Sequence, residues 1–178
     1  MRWVTATLAV LALATPLQGE TGMKVLQPDW EYVADRVMGG VSTGQIGTHV
    51  VDGRTATRLT GRVSLENNGG FVQMAFDLRE DGGTFDASAY TGIALTVRGN
   101  GEAYDLRLRT DQLSRPWQSF RTDFIAPAEW TTLRVPFTAF QSHKTDAVFD
   151  PARLRRIGVL AIGRVFDADL GVAEVALY

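Results

Sequence analysis

Cysteine is absent from this 178-residue chain. That excludes disulfides, thiolate nucleophiles, iron–sulfur ligation, Cys-based zinc sites and the lipidated Cys of a bacterial lipoprotein anchor. Histidine is nearly absent: His49 and His143 are the only two, too few for a His-rich metal site, and both read as surface residues. No metal and no other cofactor is expected. Neither sign of charge is in excess, with a formal net charge of −2 and a pI of about 5.7. Such a balance gives no general attraction for nucleic acid or anionic membranes, so no nucleic-acid partner is expected. Ser-His-Asp order, phosphate loops and metal motifs are missing as well, and the chain reads as a non-enzyme. Paired-acid chemistry on sugars would need carboxylates such as Glu66, Asp105 and Asp123 to converge in space, and nothing in their spacing demands it. Helix signals are scarce. Asp150-Pro151 is a capped start for one or two turns through Arg156, and Asp86 to Tyr90 suits a single turn.

What is present begins with a leader. Arg2 precedes an apolar run from Val4 to Ala14, interrupted only by Thr5 and Thr7, and Ala12-Leu13-Ala14 is a small-x-small cleavage pattern. The run is too short to span a bilayer comfortably and fits a secretory signal. Residues 1–22 are therefore read as signal peptide and flexible leader, and 23–178 as one domain. The mature domain is expected in a periplasm or outside the cell, with no membrane span once the leader is removed.

From Val25 onward the hydrophobic period is two. Arg62 to Glu66, Ile93 to Arg98, Tyr104 to Thr110, Ser119 to Phe124 and Thr132 to Phe137 alternate polar and apolar residues. Alternation of this kind predicts strands with one buried face. Ile157 to Ile162 and Val172 to Tyr178 are the last strands. Asn67-Asn68-Gly69-Gly70, Asp81-Gly82-Gly83 and Gly99-Asn100-Gly101 supply turns. Many short strands with turns between them predict an all-β, antiparallel jelly-roll sandwich. Trp130, Phe137 and Phe140 read as packing residues of its core or rim.

Two strings stand out: Asp35-Arg36-Val37-Met38-Gly39-Gly40-Val41-Ser42 and Asn67-Asn68-Gly69-Gly70-Phe71. With Val97 to Gly101, Leu106 to Thr110 and Trp130 leading to Val135-Pro136-Phe137, their order resembles the CIA30 family, that of the mitochondrial complex I intermediate-associated protein of 30 kDa. The resemblance runs from about Trp30 to Tyr178. It implies a galactose-binding-like jelly roll, the shape of many carbohydrate-binding modules. It also implies an assembly-factor or chaperone role, since eukaryotic members assist complex I assembly. The leader departs from that pattern, being secretory in character and not mitochondrial.

Two places are candidate binding sites. In the first string Asp35, Arg36 and Met38 are candidates for a recognition edge at the sandwich rim, against the alternative of a structural loop in which Gly39-Gly40 permits a tight backbone path and Asp35 and Arg36 pair or cap neighbouring amides. Asn68 in the second string offers both a donor and an acceptor. The other place is a field of arginines. Arg107 and Arg109 lie opposite Leu106 and Leu108, Arg98 opposite Val97, and Arg121 opposite Phe120. If these strands are neighbours, their polar sides build one Arg- and Asp-bearing face bordered by Trp117. Arg offers a planar multi-donor fork for carboxylate, phosphate or sugar hydroxyls, against the alternative of a solvated face with ordinary charge pairs. The expected function is a non-catalytic protein-interaction or assembly module of the cell envelope. The alternative is a carbohydrate- or small-ligand-binding module using the arginine face.

Overall fold

The computed structural model describes residues 22–178, so nearly all of the expected leader lies outside the described residues. The strands are β1 (Lys24–Val25), β2 (Glu31–Ala34), β3 (Thr43–Val51), β4 (Arg54–Val63), β5 (Phe71–Asp77) and β6 (Gly92–Gly99). They continue as β7 (Ala103–Thr110), β8 (Ser119–Ile125), β9 (Thr131–Pro136), β10 (Gln141–His143), β11 (Leu154–Ile162) and β12 (Phe166–Leu177). Helical structure among the described residues is confined to short 3₁₀ turns. The strands form two antiparallel sheets, in the orders β3-β4-β12-β6-β9, with β1 also on β12, and β10-β8-β7-β11-β5-β2. The jelly-roll sandwich read from the alternation is the observed fold.

The period of two explains which side chains fill the space between the sheets. On β7, Tyr104, Leu106 and Leu108 point into the core, as do Val72, Met74 and Phe76 on β5 and Ile157, Val159 and Ala161 on β11. The first sheet answers with Leu59 and Val63 of β4, Ile93, Leu95 and Val97 of β6, and Leu170 and Val172 of β12. Each Leu so buried stabilises the fold by about 1.5–3 kcal/mol. A bulge between Val172 and Glu174 shifts the phase of β12 by one residue, so that Val175 and Leu177 also face inward.

Three elements differ from the sequence expectation. The turn at Pro151 is capped as expected, with the Ala152 amide donating to Asp150 Oδ1 at 3.0 Å, but it ends at Arg153. Leu154 already belongs to the core, and β11 starts there. β12 begins at Phe166, well before Val172, because Phe166, Ala168 and Leu170 are buried while Asp167 and Asp169 pair outward with Arg62 and Arg58. Finally, β3 and β4 form a hairpin through Asp52 and Gly53, whose φ values of 44° and 75° suit a type I′ turn.

The turn Gly99-Asn100-Gly101 positions the arginines. It carries the chain from β6 in one sheet to β7 in the other. Gly101 takes a φ of 79°, and Asn100 is held on both sides: its Nδ2 donates to the Asp167 carbonyl, and its Oδ1 accepts from the Tyr104 hydroxyl, each at 2.8 Å. Burial pushes the Tyr104 phenol up to about 12.

Candidate functional site

The two distinctive strings meet in space. Asp35 sits in a 3₁₀ turn and is fully buried. Its Oδ1 accepts from the Ser42 amide at 3.0 Å; its Oδ2 accepts from the Ser42 hydroxyl and from the amides of Gly70 and Phe71 at 2.6 and 3.3 Å. The Ser42 oxygen in turn accepts from the Ser64 amide at 2.9 Å. Burial alone would raise the Asp35 pKa, but these hydrogen bonds outweigh it and hold the carboxyl below the usual carboxylate range. The glycines make room for it. A Cβ on Gly40 would stand 2.4 Å from the Asp35 carboxyl carbon, and one on Gly69 2.5 Å from Oδ2. Asn67 and Asn68 take left-handed φ values of 55° and 57° on the way.

Asp35 therefore does not present a recognition edge. It is an internal fastening, and its carboxylate has no face toward solvent. Arg36, Val37 and Met38 stand outside it, with Val37 75% and Met38 59% exposed. Asn68 is exposed on the adjoining turn.

The arginines divide between the two sheets. Arg98 lies on β6, paired with Asp52, because the turn after Gly99 crosses the sandwich. It does not join the other arginines, which correct the expected single field to a smaller one. Arg107 and Arg121 are direct cross-strand partners on β7 and β8, and Arg107 also faces Gly158 of β11. Their row continues through Ala75 to Glu31 on one side and to Gln141 on the other. Asp105 is buried on this face, accepting from Arg107 Nε and Nη2 at 3.1 and 2.9 Å, with Arg121 Nε 3.6 Å away. Asp123 is its cross-strand partner, whereas Glu66 lies in the 3₁₀ turn before β5, so the three carboxylates do not form one group.

A trough crosses this outer face. Its floor is small and apolar, made by Ala75, Gly158 and Leu160. Its walls are Gln73, Arg107, Arg109, Arg156, Gln118 and Ser119. Arg156 bridges Asp77 and Glu31 at 2.9 and 2.7 Å. Arg109 differs: its guanidinium donates to the carbonyls of Pro116 and Arg115, each at 3.0 Å, so it pins the loop before β8. Burial, reinforced by Arg155 and Arg156, lowers its pKa. That loop displays Trp117, 51% exposed, between the lining residues Pro116 and Gln118, with the Arg115 guanidinium 5.9 Å from its ring centroid. His143, opposite Ser119 on β10, is half-buried, and burial followed by the charges of Arg107 and Arg121 lowers its pKa.

Sequence reasoning missed Arg156, Gly158 and Ser119. Gly158 carried the one usable signal, since a glycine inside a strand marks close approach or open space. Among the described residues, no group of three or more His, Asp or Glu side chains is placed to hold a metal ion.

Comparison with protein families matches residues 21–172 to the Complex I intermediate-associated protein 30 (CIA30) family. The chain belongs to the CIA30 family. Comparison with curated protein sequences finds no match for this CIA30 domain. Among solved structures it is similar to a family 11 carbohydrate-binding module from Clostridium thermocellum in complex with a β-1,3-1,4-mixed-linked tetrasaccharide. The TM-score is 0.70 and the identity 12%, over 88% of this chain and 95% of that one. A family 30 module of a cellulosomal cellulase from the same organism gives a TM-score of 0.61 at 14% identity, over 88% and 96%. At these identities the likeness establishes the fold, a galactose-binding-like jelly roll.

Proposed function

We propose that this CIA30 domain is a non-catalytic binding module that holds a saccharide across the outer face of the β10-β8-β7-β11-β5-β2 sheet. The observation that carries the reading is the trough, with its apolar floor and walls of arginine and glutamine, next to a loop that exposes Trp117 between the lining residues Pro116 and Gln118. Sugar rings present an apolar face and a fringe of hydroxyls, which an aromatic ring and planar multi-donor side chains suit. The fold neighbours, themselves carbohydrate-binding modules, support the same reading. Calorimetric titration of the mature domain with a panel of soluble oligosaccharides tests it. Binding should be seen and should weaken several-fold in Trp117→Ala. A panel without a binder would sink the reading.

A second reading, docking of a protein partner, rests on the rim. Val37, Met38 and Val41 are exposed together on the loop fastened by Asp35. Affinity capture from the native envelope fraction should then fail for Val37→Asp with Met38→Asp while the fold survives.

We further propose export of the chain, on the strength of Arg2, the apolar run and Ala12-Leu13-Ala14. N-terminal sequencing of the protein from its own cell should begin after Ala14 or a few residues later; an intact Met1 in the exported fraction would count against it. No helix among the described residues is long and apolar enough to cross a membrane.

A further inference from the structure

We infer that the trough selects an acidic saccharide and seats a carboxylate of a uronic acid residue between Arg107, Arg109, Gln118 and Ser119. This rests on the saccharide reading above and narrows it to a charge class.

The first ground is the character of the polar groups. Among the described residues, three guanidinium groups line the trough and no carboxylate does. Each guanidinium carries five N–H donors and no acceptor. Arg107 uses Nε and Nη2 on Asp105, and Arg109 uses one hydrogen bond from each Nη on a peptide carbonyl, so both keep donors to spare. Gln118 is oriented by its own loop. Its Oε1 accepts from the amides of Ser114 and Arg115 at 3.1 and 3.0 Å, which turns its Nε2 into a free donor. These groups ask for an acceptor-only partner.

The second ground is Ser119. Its side chain is on the outer face, alternating with core Phe120; the residue is 3% exposed, and its hydroxyl is buried without a hydrogen-bond partner among the described residues. A buried hydroxyl left unpaired costs stability, and a ligand oxygen in the trough would satisfy it.

The third ground is electrostatic. Asp105 pairs with Arg107, and Asp77 and Glu31 pair with Arg156, whereas Arg109 makes no ion pair among the described residues and gives its hydrogen bonds to two carbonyls, with Asp77 acting on it only at longer range. Its half-buried charge stands beside two further arginines. The trough is small, about 70 Å³, and the carboxylate is the part of the ligand that would sit in it. The ring would lie outside, toward Trp117.

The test compares matched ligands on the mature domain by calorimetry: a tetragalacturonate, its fully methyl-esterified form, and a sulfated galactan oligosaccharide of similar length. The acid should bind at least about tenfold tighter than the ester, as a charge-assisted arginine contact predicts, and its affinity should fall with added salt. Ser119→Ala, which removes only an unpartnered hydroxyl, should weaken the acid several-fold, leave the ester unchanged and keep or raise the melting temperature. Arg107→Gln should reduce the preference for acid over ester to near unity. If acid and ester bind equally and Trp117→Ala weakens both, the charge selection is wrong while the saccharide reading stands. If the sulfated ligand outbinds the uronate, the carboxylate assignment falls. If none of the three binds, the inference falls, and a neutral-oligosaccharide titration then decides the saccharide reading separately.

Discussion

Ser42 gives Asp35 two hydrogen bonds, one from its amide and one from its hydroxyl, and so closes a loop of eight residues on a carboxylate that water does not reach. The amides of Gly70 and Phe71 reach the same carboxylate from a distant part of the chain. Asp35→Ala leaves those donors unpaired and should lower stability by about 3 kcal/mol or more. Ser42→Ala should cost about 1–3 kcal/mol. Urea unfolding of each variant measures both.

The same carboxylate makes stability depend on acidity. Its folded pKa lies below the ordinary value, so the folded state binds the proton less well than the unfolded chain. The contribution is fully present above about pH 4 and is lost as the pH falls through the folded pKa. Asp35→Asn should show a shallower loss of stability between about pH 4 and pH 2 than the parent chain. Equal slopes would show that other carboxylates govern acid unfolding.

Gly40→Ala and Gly69→Ala test the space around Asp35. Either Cβ would stand within 2.5 Å of its carboxyl group, so each variant should lose about 1–3 kcal/mol. In an Asp35→Ala background the same changes should cost less, because the carboxyl has gone, though a Gly40 Cβ would still stand 2.8 Å from the Cβ of residue 35 and a Gly69 Cβ 2.9 Å from the Glu66 carbonyl oxygen. Additive losses would place the strain in the backbone instead.

Leu106→Ala should lower stability by about 2–5 kcal/mol, since the side chain is fully buried. Trp117→Ala should leave the melting temperature nearly unchanged, because the ring stands half outside. Arg109→Ala should fall between the two by freeing the carbonyls of Arg115 and Pro116 and loosening the loop that carries Trp117. Thermal melts of the three variants rank them.

The alternation made most of the fold legible. Tyr104, Leu106 and Leu108 face the core and Arg107 and Arg109 face away, as a period of two requires. What alternation cannot encode is which strands share a sheet. Arg98 and Arg107 are separated by one short turn in sequence, yet that turn crosses the sandwich and parts them. Asp35 is ambiguous for a different reason: a charged residue beside Gly-Gly suits a rim contact or a cap on neighbouring amides equally, and the amides that decide it arrive from thirty-five residues away. Arg156 and Gly158 were obscured by the nearly continuous apolar run of β11. Its buried position between β7 and β5 gives both of its faces an apolar character, and the outer one ends in the trough floor.

The sheet orders also set a timetable. β11 lies between β7 and β5, and β12 between β4 and β6, so both sheets are joined through strands drawn from residues 154–177. Until those residues leave the ribosome, each half-sheet has an open edge and an uncovered apolar side, and no stable sandwich can close. Folding must therefore follow synthesis of the last strand, however early the β3–β4 hairpin forms. A nascent chain held in that state remains threadable through a narrow channel, and a truncation after residue 165 would remove the central strand of one sheet and leave a chain that cannot fold.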